Sequence, residues 1–416
     1  MNADHDLRGE ARWGDLDRLR STSRMYDAVI EEVAGRQIRI GRRWFADFAS
    51  CNYLGFDLDP EIMASITDQV RRWGTHPSWS RLLGNPRVYL DIEEQLTELL
   101  GAPDTLVLPT ITHIHLSVIP ALAGQSGWIF VDSQAHKTTW DGCAFARGQG
   151  ATLRRFRTND AEHLEGLLRQ APAGVTRLIC MDGVNSMTGN MPDLRVFAEL
   201  ARSCGATLYV DDAHGFGVIG EHLSIEHPYG LRGNSIVRHA GETYDDIVLV
   251  GGFSKAYSSL LAFLALPTWM KNHLKVAAPP YLYSGPSPTA SLATVLAGFR
   301  VNTRRGDAIR TGLHRKTARV LEHVTSLGVD TFNTSGLPII ELPIADAATM
   351  PEVSRLLLHS GIYVTLAAYP LVPRADVGFR VQVTAANTDT EIDQLNAALT
   401  LLAQRELLRP AVRVPQ

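Results

Sequence analysis

The sequence predicts an α/β chain: a mainly parallel sheet covered by helices on both faces, followed by a smaller α+β domain. Three observations carry this. Between about residues 90 and 260, short apolar runs alternate with amphipathic helical stretches. The runs are continuously apolar, as in strands buried on both faces. Several end in aspartate or glycine, so polar groups collect at one edge of the sheet, where open α/β sheets bind ligands.

The elements follow in order. Residues 1–24 are charged and read as an end segment or a helix that docks late. Residues 37–48 read as two short strands, and "NYLGFDLDPEI" from Asn52 reads as a turn leading into a helix. "DIEEQLTELLGA" is an amphipathic helix closed by Gly101. "WIFVD" is a strand ending at Asp132, and "AEHLEGLLRQA" is helical. "RLICMDGV" is a strand through Asp182, and "LRVFAELARSCG" is a helix with Gly205 just past it. "ATLYVDDAH" is a strand ending in Asp211 and Asp212, and "DIVLVGGFSK" is another that delivers Lys255. Asp132, Asp182, Asp211, Asp212, His214 and Lys255 are therefore expected around one crevice. After about residue 290 a long helical stretch links the large domain to a smaller one. That domain holds "LPIIELPI", a helix near 350–359, "IYVTLAAYP", "FRVQVTAA" and a last helix near 389–406. The expected divisions are an N-terminal segment 1–60, a large domain 61–295 and a C-terminal domain 296–416.

A chain of 416 residues is too long for one simple core. Hydrophobic content of 45% and charged content of 20% are those of an ordinary globular protein. A formal net charge of -4 speaks against a polyanion-binding surface, so no nucleic-acid partner is expected. No apolar run is long enough to span a bilayer, and the polar N-terminus has no signal-peptide core; a cytoplasmic location is the expectation. The four cysteines, Cys51, Cys143, Cys180 and Cys204, form no CxxC pair and no Cys/His spacing, so no metal site is expected. Cys180 and Cys204 lie in apolar or helical contexts and read as small, reduced core residues.

Lys255 is the sharpest candidate. A lysine desolvated at a sheet edge becomes a nucleophilic amine that can link to a carbonyl or to pyridoxal phosphate. The bland alternative is a surface lysine in a turn; the apolar strand before it favours the first reading. A carboxylate on a neighbouring strand end adds weight. Pyridoxal phosphate works as an electron sink when its ring nitrogen is protonated, and a carboxylate keeps that proton on. One of Asp211 and Asp212 faces the ring, because adjacent strand residues point opposite ways. The other reads as a cap or turn aspartate. His214 follows within a turn, in reach of the cofactor's phenolic oxygen or of substrate, or as a structural turn histidine.

"VDDAHGFGVIGE" followed by "GGFSKAY" resembles the α-oxoamine synthase family of pyridoxal-phosphate enzymes, of fold type I. The resemblance covers most of the chain. "NYLGFDLDPEI", "SRLLGNPRVYLDIEEQL", "DGVNSMTGNMPDL", "YLYSGPSPTAS" and "FRVQVTAANTDTEID" resemble further signatures of that family, in order. It implies a condensation of an amino acid with an acyl thioester to an α-amino ketone, usually with loss of the carboxylate. It implies Lys255 as the residue that carries the cofactor and moves the proton. Asp211 resembles the ring-nitrogen partner, and His214 the residue at the cofactor's O3′. His136, in "DSQAHKTTW", resembles the histidine stacked on the ring face. Ser186 resembles the serine near the cofactor's oxygen. Arg380, in "GFRVQVT", resembles the clamp for the substrate carboxylate; on residues alone it also reads as a solvated strand residue. Asn52 and Tyr53 fall at the substrate end. A homodimer with shared active sites is implied too, with "YLYSGPS" (Tyr281 to Ser287, including Ser284) reaching the neighbouring subunit's phosphate.

The chain also departs from the family pattern. The family's phosphate turn, of the type Ser-Gly-Phe/Tyr-Ala-Ala-Asn, is "PTITHIHLS" here. Thr110, Ile111 and Thr112 take its place, with hydroxyls to assist the backbone amides, and His113 is an added polar group. The family threonine three before the lysine is Gly252, with Ser254 as the substitute hydroxyl. The glycine pair common after the lysine gives way to the bulkier "SSLLAFLALP". "THPSWSR" replaces a Gly/Ser-rich turn and brings in Trp79. Asp182 stands for a glutamate and Asn185 for a phenylalanine. The acyl donor is therefore expected to be a thioester of coenzyme A or of an acyl carrier protein. The departures motivate two alternatives: a non-acyl electrophile, with aldol, Mannich-type or substitution chemistry, and a non-catalytic partner subunit. Retention of Lys255, Asp211 and His214 together argues against the last.

Overall fold

The computed structural model describes residues 14–411. The chain divides into two compact units. The larger holds Leu54–Ser186 and Met191–Thr311; the smaller holds the chain up to Tyr53, Met187–Asn190 and the chain from Gly312 onward.

In chain order the elements are α1 (Gly14–Thr22), β1 (Ile30–Ala34), β2 (Gln37–Ile40), β3 (Arg43–Asp47), α2 (Pro60–Trp73), α3 (Arg87–Leu100), β4 (Asp104–Leu108), α4 (Ile111–Ala123), β5 (Trp128–Asp132), α5 (Lys137–Gly148), β6 (Thr152–Phe156), α6 (Ala161–Leu168), β7 (Arg177–Asp182), α7 (Leu194–Ser203) and β8 (Thr207–Asp211). There follow β9 (Ile247–Gly252), β10 (Ala262–Leu266), α8 (Thr268–Ala277), α9 (Thr289–Val301), α10 (Asp307–Ser326), β11 (Ile339–Pro343), α11 (Met350–His359), β12 (Ile362–Tyr363), β13 (Thr365–Ala367), β14 (Gly378–Gln382) and α12 (Asp389–Gln404). Short helical turns fill some of the connections. One turn of π-helix, Asn302–Gly306, joins α9 to α10, so the predicted long helical stretch is continuous.

The larger unit is built on a seven-stranded sheet of order β4-β10-β9-β8-β7-β5-β6. β10 runs antiparallel to both its neighbours; the other pairings are parallel. β7, β8 and β9 are buried along nearly their whole length. This is why their sequences read as unbroken apolar runs. Register brings Asp182 beside Asp211, and Asp211 beside Val250. Leu108 and Gly252 both pair with Ala262, so β4 ends at the same edge. Five loops, after β4, β5, β7, β8 and β9, therefore open along one border of the sheet.

Local chemistry marks the helix ends, and Gly101 does so as predicted. Asp59 caps α2 by accepting from the N–H groups of Glu61 and Ile62, and Pro60 takes the first turn. Gly101 closes α3 at φ 62°, a left-handed conformation that costs a side-chain-bearing residue more. Thr388 and Glu391 form a capping box at the start of α12.

The smaller unit carries two sheets. One has the order β1-β2-β3-β12, antiparallel except for the parallel β3/β12 pair. The other is the antiparallel β11-β14-β13. The N-terminal stretch contains three strands, one more than the two predicted. In the larger unit three strands escaped the sequence reading. β6 is an edge strand whose Arg154 and Arg155 are exposed, so its apolar run is broken. β4 lies at the other edge and opens with Asp104. β10 is the core of the bulky segment after Lys255: Ala262–Leu266 is a fully buried strand, while Leu260 just before it is exposed at the cleft. Cys180 is buried as predicted, but Cys204 is half-exposed in the turn after α7, where helix and loop meet. Residues 1–13 of the predicted end segment lie outside the described residues.

Candidate active site

Where the loops of the larger unit meet there is a cleft of about 340 Å³. Thr110, Ile111, Thr112, His136, Ser186, Asp211, His214, Ser254 and Lys255 all line it, as predicted from sequence. Asp182, also expected at this crevice, lines it too, and so do Thr138, Val184, Ala213 and Leu260.

Lys255 is held by the turn it sits in. The N–H of Phe253 donates to the Leu261 carbonyl at 2.9 Å, and that of Ser259 to the Phe253 carbonyl at 2.8 Å. Two residues to either side of the lysine, Phe253 and Tyr257 are fully buried. They join Phe216, Phe263 and Phe299 in one aromatic cluster, with Phe216 stacked on Tyr257 at 5.1 Å between ring centres. The turn is thus pinned from both sides, and the lysine between the pins is directed into the cleft.

Asp211 ends β8 at the cleft floor. Its Oδ1 accepts from the Ala213 N–H at 3.1 Å, and its Oδ2 lies 2.9 Å from His115 Nε2. Burial pushes its carboxyl up, but the adjacent His115, with Lys255 and His136, more than offsets this and holds it at about 2. Asp212 points the other way, out of the cleft. Its Oδ2 accepts from the Ile236 N–H at 2.9 Å, at the start of the short helix Ser235–His239. This is the cap role expected of whichever aspartate faced away. Burial, aided by the Asp211 charge, raises Asp212 to about 7.

His136 is the residue before α5. Its N–H donates to Asp182 Oδ1 at 2.9 Å and its Nδ1 lies 2.8 Å from Thr138 Oγ1, which fixes the ring at the cleft wall. Asp182 is half-buried at the cleft wall; desolvation, with the charge of Asp211, raises its carboxyl well above the usual range.

The border of the cleft formed by α4 suits a phosphate. Thr110 caps the helix by accepting from the His113 N–H at 3.3 Å. The N–H groups of Ile111 and Thr112 begin the helix, where no preceding turn supplies carbonyls, and the helix dipole favours an anion there. A carboxylate for a ring nitrogen, an amine for an aldehyde and a helix N-terminus for a phosphate are the donor set that pyridoxal phosphate requires. The residues present fit that cofactor. The missing threonine at Gly252 also has a structural explanation: a Cβ there would lie 2.5 Å from Ile111 Cδ1. Ile111 occupies the space that a larger residue at 252 would take.

Several expectations change. Asp132 stands outside the cleft lining, its Oδ1 accepting from the Gln134 N–H at 2.7 Å and from Thr158 Oγ1. His113 is exposed on α4 and is not part of the lining, because helical periodicity turns its side chain outward. Ser284 lies in the segment between Leu282 and Thr289 and does not line the cleft of its own chain. Tyr53, expected at the substrate end, is fully buried in the smaller unit, its hydroxyl 3.3 Å from Gln382 Oε1. Asn52 precedes it and is half-buried. Arg380 is half-buried on β14, its Nη1 3.6 Å from Met187 Sδ.

The sequence reading missed His115, which touches Asp211 directly. The signal was a histidine on the apolar face of α4, beside Ile114 and Val118, where an unpartnered imidazole would be costly.

Residues 46–399 match the family model for aminotransferase class I and II. The chain is 32% identical to the 8-amino-7-oxononanoate synthase of Chromohalobacter salexigens over 363 residues, 87% of this chain and 90% of that one. It is 32% identical to the enzyme of the same name from a Pseudomonas putida strain over 392 residues, 94% of each chain. The solved serine palmitoyltransferase of Sphingomonas wittichii superposes with a TM-score of 0.85 at 25% identity, covering 94% of this chain and 96% of that one.

Proposed function

This chain belongs to the pyridoxal-phosphate-dependent α-oxoamine synthase family within aminotransferase class I and II, and we propose how its residues divide the work. Members of that family are acyltransferases that condense an amino acid with an acyl thioester to an α-amino ketone. The observation that carries the assignment of roles is the convergence of Lys255, Asp211 and the α4 N-terminus on one cleft.

Bound pyridoxal phosphate supplies an electron sink conjugated to the substrate's α-carbon. Lys255 holds the cofactor through its amine and, once displaced by the amino acid, takes and returns the proton at the α-carbon. Asp211 holds the proton on the ring nitrogen. His136 would cover one face of the ring, and His214 and Ser186 would bind the phenolic oxygen. Thr110, Ile111 and Thr112 bind the phosphate through the helix N-terminus, with Ser254 adding a hydroxyl. By the family resemblance alone, Arg380 is assigned to the amino acid's carboxylate and Asn52 to the substrate. Leu260 narrows the mouth through which the acyl donor enters.

The second substrate is a thioester of coenzyme A or of an acyl carrier protein. The working form is a homodimer. The exposed Trp79, Leu82, Leu83 and Tyr283 give the larger unit apolar surface for a second copy to cover, and Ser284 lies next to that surface. No described helix is long and apolar enough to cross a membrane.

The test is to load the protein with pyridoxal phosphate and record its visible absorbance before and after borohydride. Common amino acids are then offered together with acyl thioesters while thiol release is followed. A reducible band and thiol release that depends on one amino acid are expected. Loss of the band in Lys255→Ala is expected as well. A protein that binds no cofactor, or that releases no thiol with any pair, would sink the proposal.

A further inference from the structure

His115 is completely buried, and both ring nitrogens are engaged. Nε2 lies 2.9 Å from Asp211 Oδ2 and Nδ1 lies 2.8 Å from the Tyr209 hydroxyl. Thr139 Oγ1 stands 3.4 Å from the same Nε2. The result is a file, Tyr209–His115–Asp211, that runs from the core of the sheet to the cleft floor. Tyr209 and Asp211 come from one face of β8, two residues apart, and the imidazole from α4 bridges them. With Asp211 ionised, Nε2 carries the proton and donates to the carboxylate; Nδ1 then exchanges a hydrogen bond with the tyrosine hydroxyl. In the family turn set out above this position is asparagine, which cannot take up a proton.

We infer that His115 is a positioning residue for the cofactor's ring nitrogen: it fixes the Asp211 carboxylate in its ionised form and thereby sets how firmly that carboxylate holds the ring proton. The inference rests on the proposed role of Asp211. One Asp211 oxygen is taken by the Ala213 N–H and the other by His115, so the carboxylate cannot rotate without breaking one of them. A charge-assisted bond of this kind is stronger than one between neutral groups. The other titratable groups around the file are Cys143 from α5, Cys180 and Asp182 from β7, His136 before α5, and Lys255. The two thiols lie on the Tyr209 side; Asp182, His136 and Lys255 face Asp211 from the cleft. Among the described residues the imidazole is thus the one ionisable group held between Tyr209 and Asp211, and it is sealed from solvent.

The consequence is spectroscopic as well as kinetic. A ring nitrogen that keeps its positive charge withdraws electrons and lowers the basicity of the nitrogen linking Lys255 to the cofactor. Weakening Asp211 therefore raises the pH midpoint at which the bound cofactor's visible band changes. His115→Phe keeps the volume but removes both hydrogen bonds. It should raise that midpoint by about one pH unit, a tenfold change in proton affinity. His115→Asn keeps an amide donor for Asp211 and should move it by less than half as much. Holoenzyme of each variant would be titrated by absorbance against wild type, with thermal melting run in parallel. If His115→Phe does not fold, His115→Asn decides by the same reading.

A raised midpoint in either variant supports the inference. Unchanged midpoints in the variants that fold, with the band intact, overturn it even if melting temperatures fall; His115 would then be packing only. No reducible band in wild type overturns the cofactor assignment and the inference with it, so the two failures are distinguishable.

Discussion

At the residue scale, two positions decide most of what is unusual about this site. Ile111 and Gly252 are a pair: one is large because the other has no side chain. Gly252→Thr should weaken cofactor affinity, because its Cβ would meet Ile111 Cδ1 at 2.5 Å. That atom is the free end of a flexible side chain and can give way, so the loss should be modest, at most about tenfold in affinity through displacement of Ile111 at the proposed phosphate turn, read by titrating apoprotein with pyridoxal phosphate. The double variant Ile111→Gly, Gly252→Thr should bind better than Gly252→Thr alone; additive losses would show that the two side chains do not compete for space. Asp212 makes a different prediction. Its folded carboxyl is raised to about 7 by burial first and by the Asp211 charge second. The folded state therefore binds a proton that the unfolded chain has already lost, so stability falls as pH rises from about 4 to about 7, by up to about 4 kcal/mol. Glu341, raised to about 7 chiefly by burial, adds to the same window. In Asp212→Asn the decline in stability between pH 5 and 7.5, followed by urea unfolding, should be shallower. An unchanged slope would mean that Asp212 stays ionised.

At the scale of elements, α4 and α5 carry the site between them. α4 supplies the helix terminus proposed to hold the phosphate, and His115; α5 begins just after His136. They pack closely because Gly142 faces the α4 backbone. A Cβ at 142 would lie 2.4 Å from the His115 carbonyl oxygen, a backbone atom that cannot swing aside. A glycine inside a helix weakens it in isolation, so this one is retained for the contact it permits. Gly142→Ala should destabilise the protein by about 2–4 kcal/mol in urea unfolding. It should also weaken cofactor binding, since α4 would be displaced at His115. Stability equal to wild type would show that the two helices can separate without cost.

At the scale of the whole molecule, the cofactor is expected to act as a structural ligand. The residues proposed to hold it come from loops that follow β4, β8 and β9, which are distant in sequence. Saturating pyridoxal phosphate at about 100 times its dissociation constant should add about 2.7 kcal/mol of stability, seen as a rise in melting temperature that Lys255→Ala reduces. A melting temperature independent of cofactor would contradict binding to the folded state. The sequence by itself determined the α/β class, most of the central strands, the glycine that closes α3 and many of the residues that line the cleft, Lys255 and Asp211 among them. It could do so because burial on both faces imposes continuous apolar runs, and because such strands end in their functional groups. Tertiary structure alone decided the rest. The edge strands β4 and β6 lack an unbroken apolar run, since one face or end of each meets solvent. β10 was hidden because an antiparallel strand after a tight turn carries no crossover helix to announce it. The residues alone left open which of Asp211 and Asp212 faces the cleft; the family resemblance pointed to Asp211, and strand register places it there. His115 joined the site only because α4 packs across β8, a contact between residues about a hundred positions apart that no local pattern encodes.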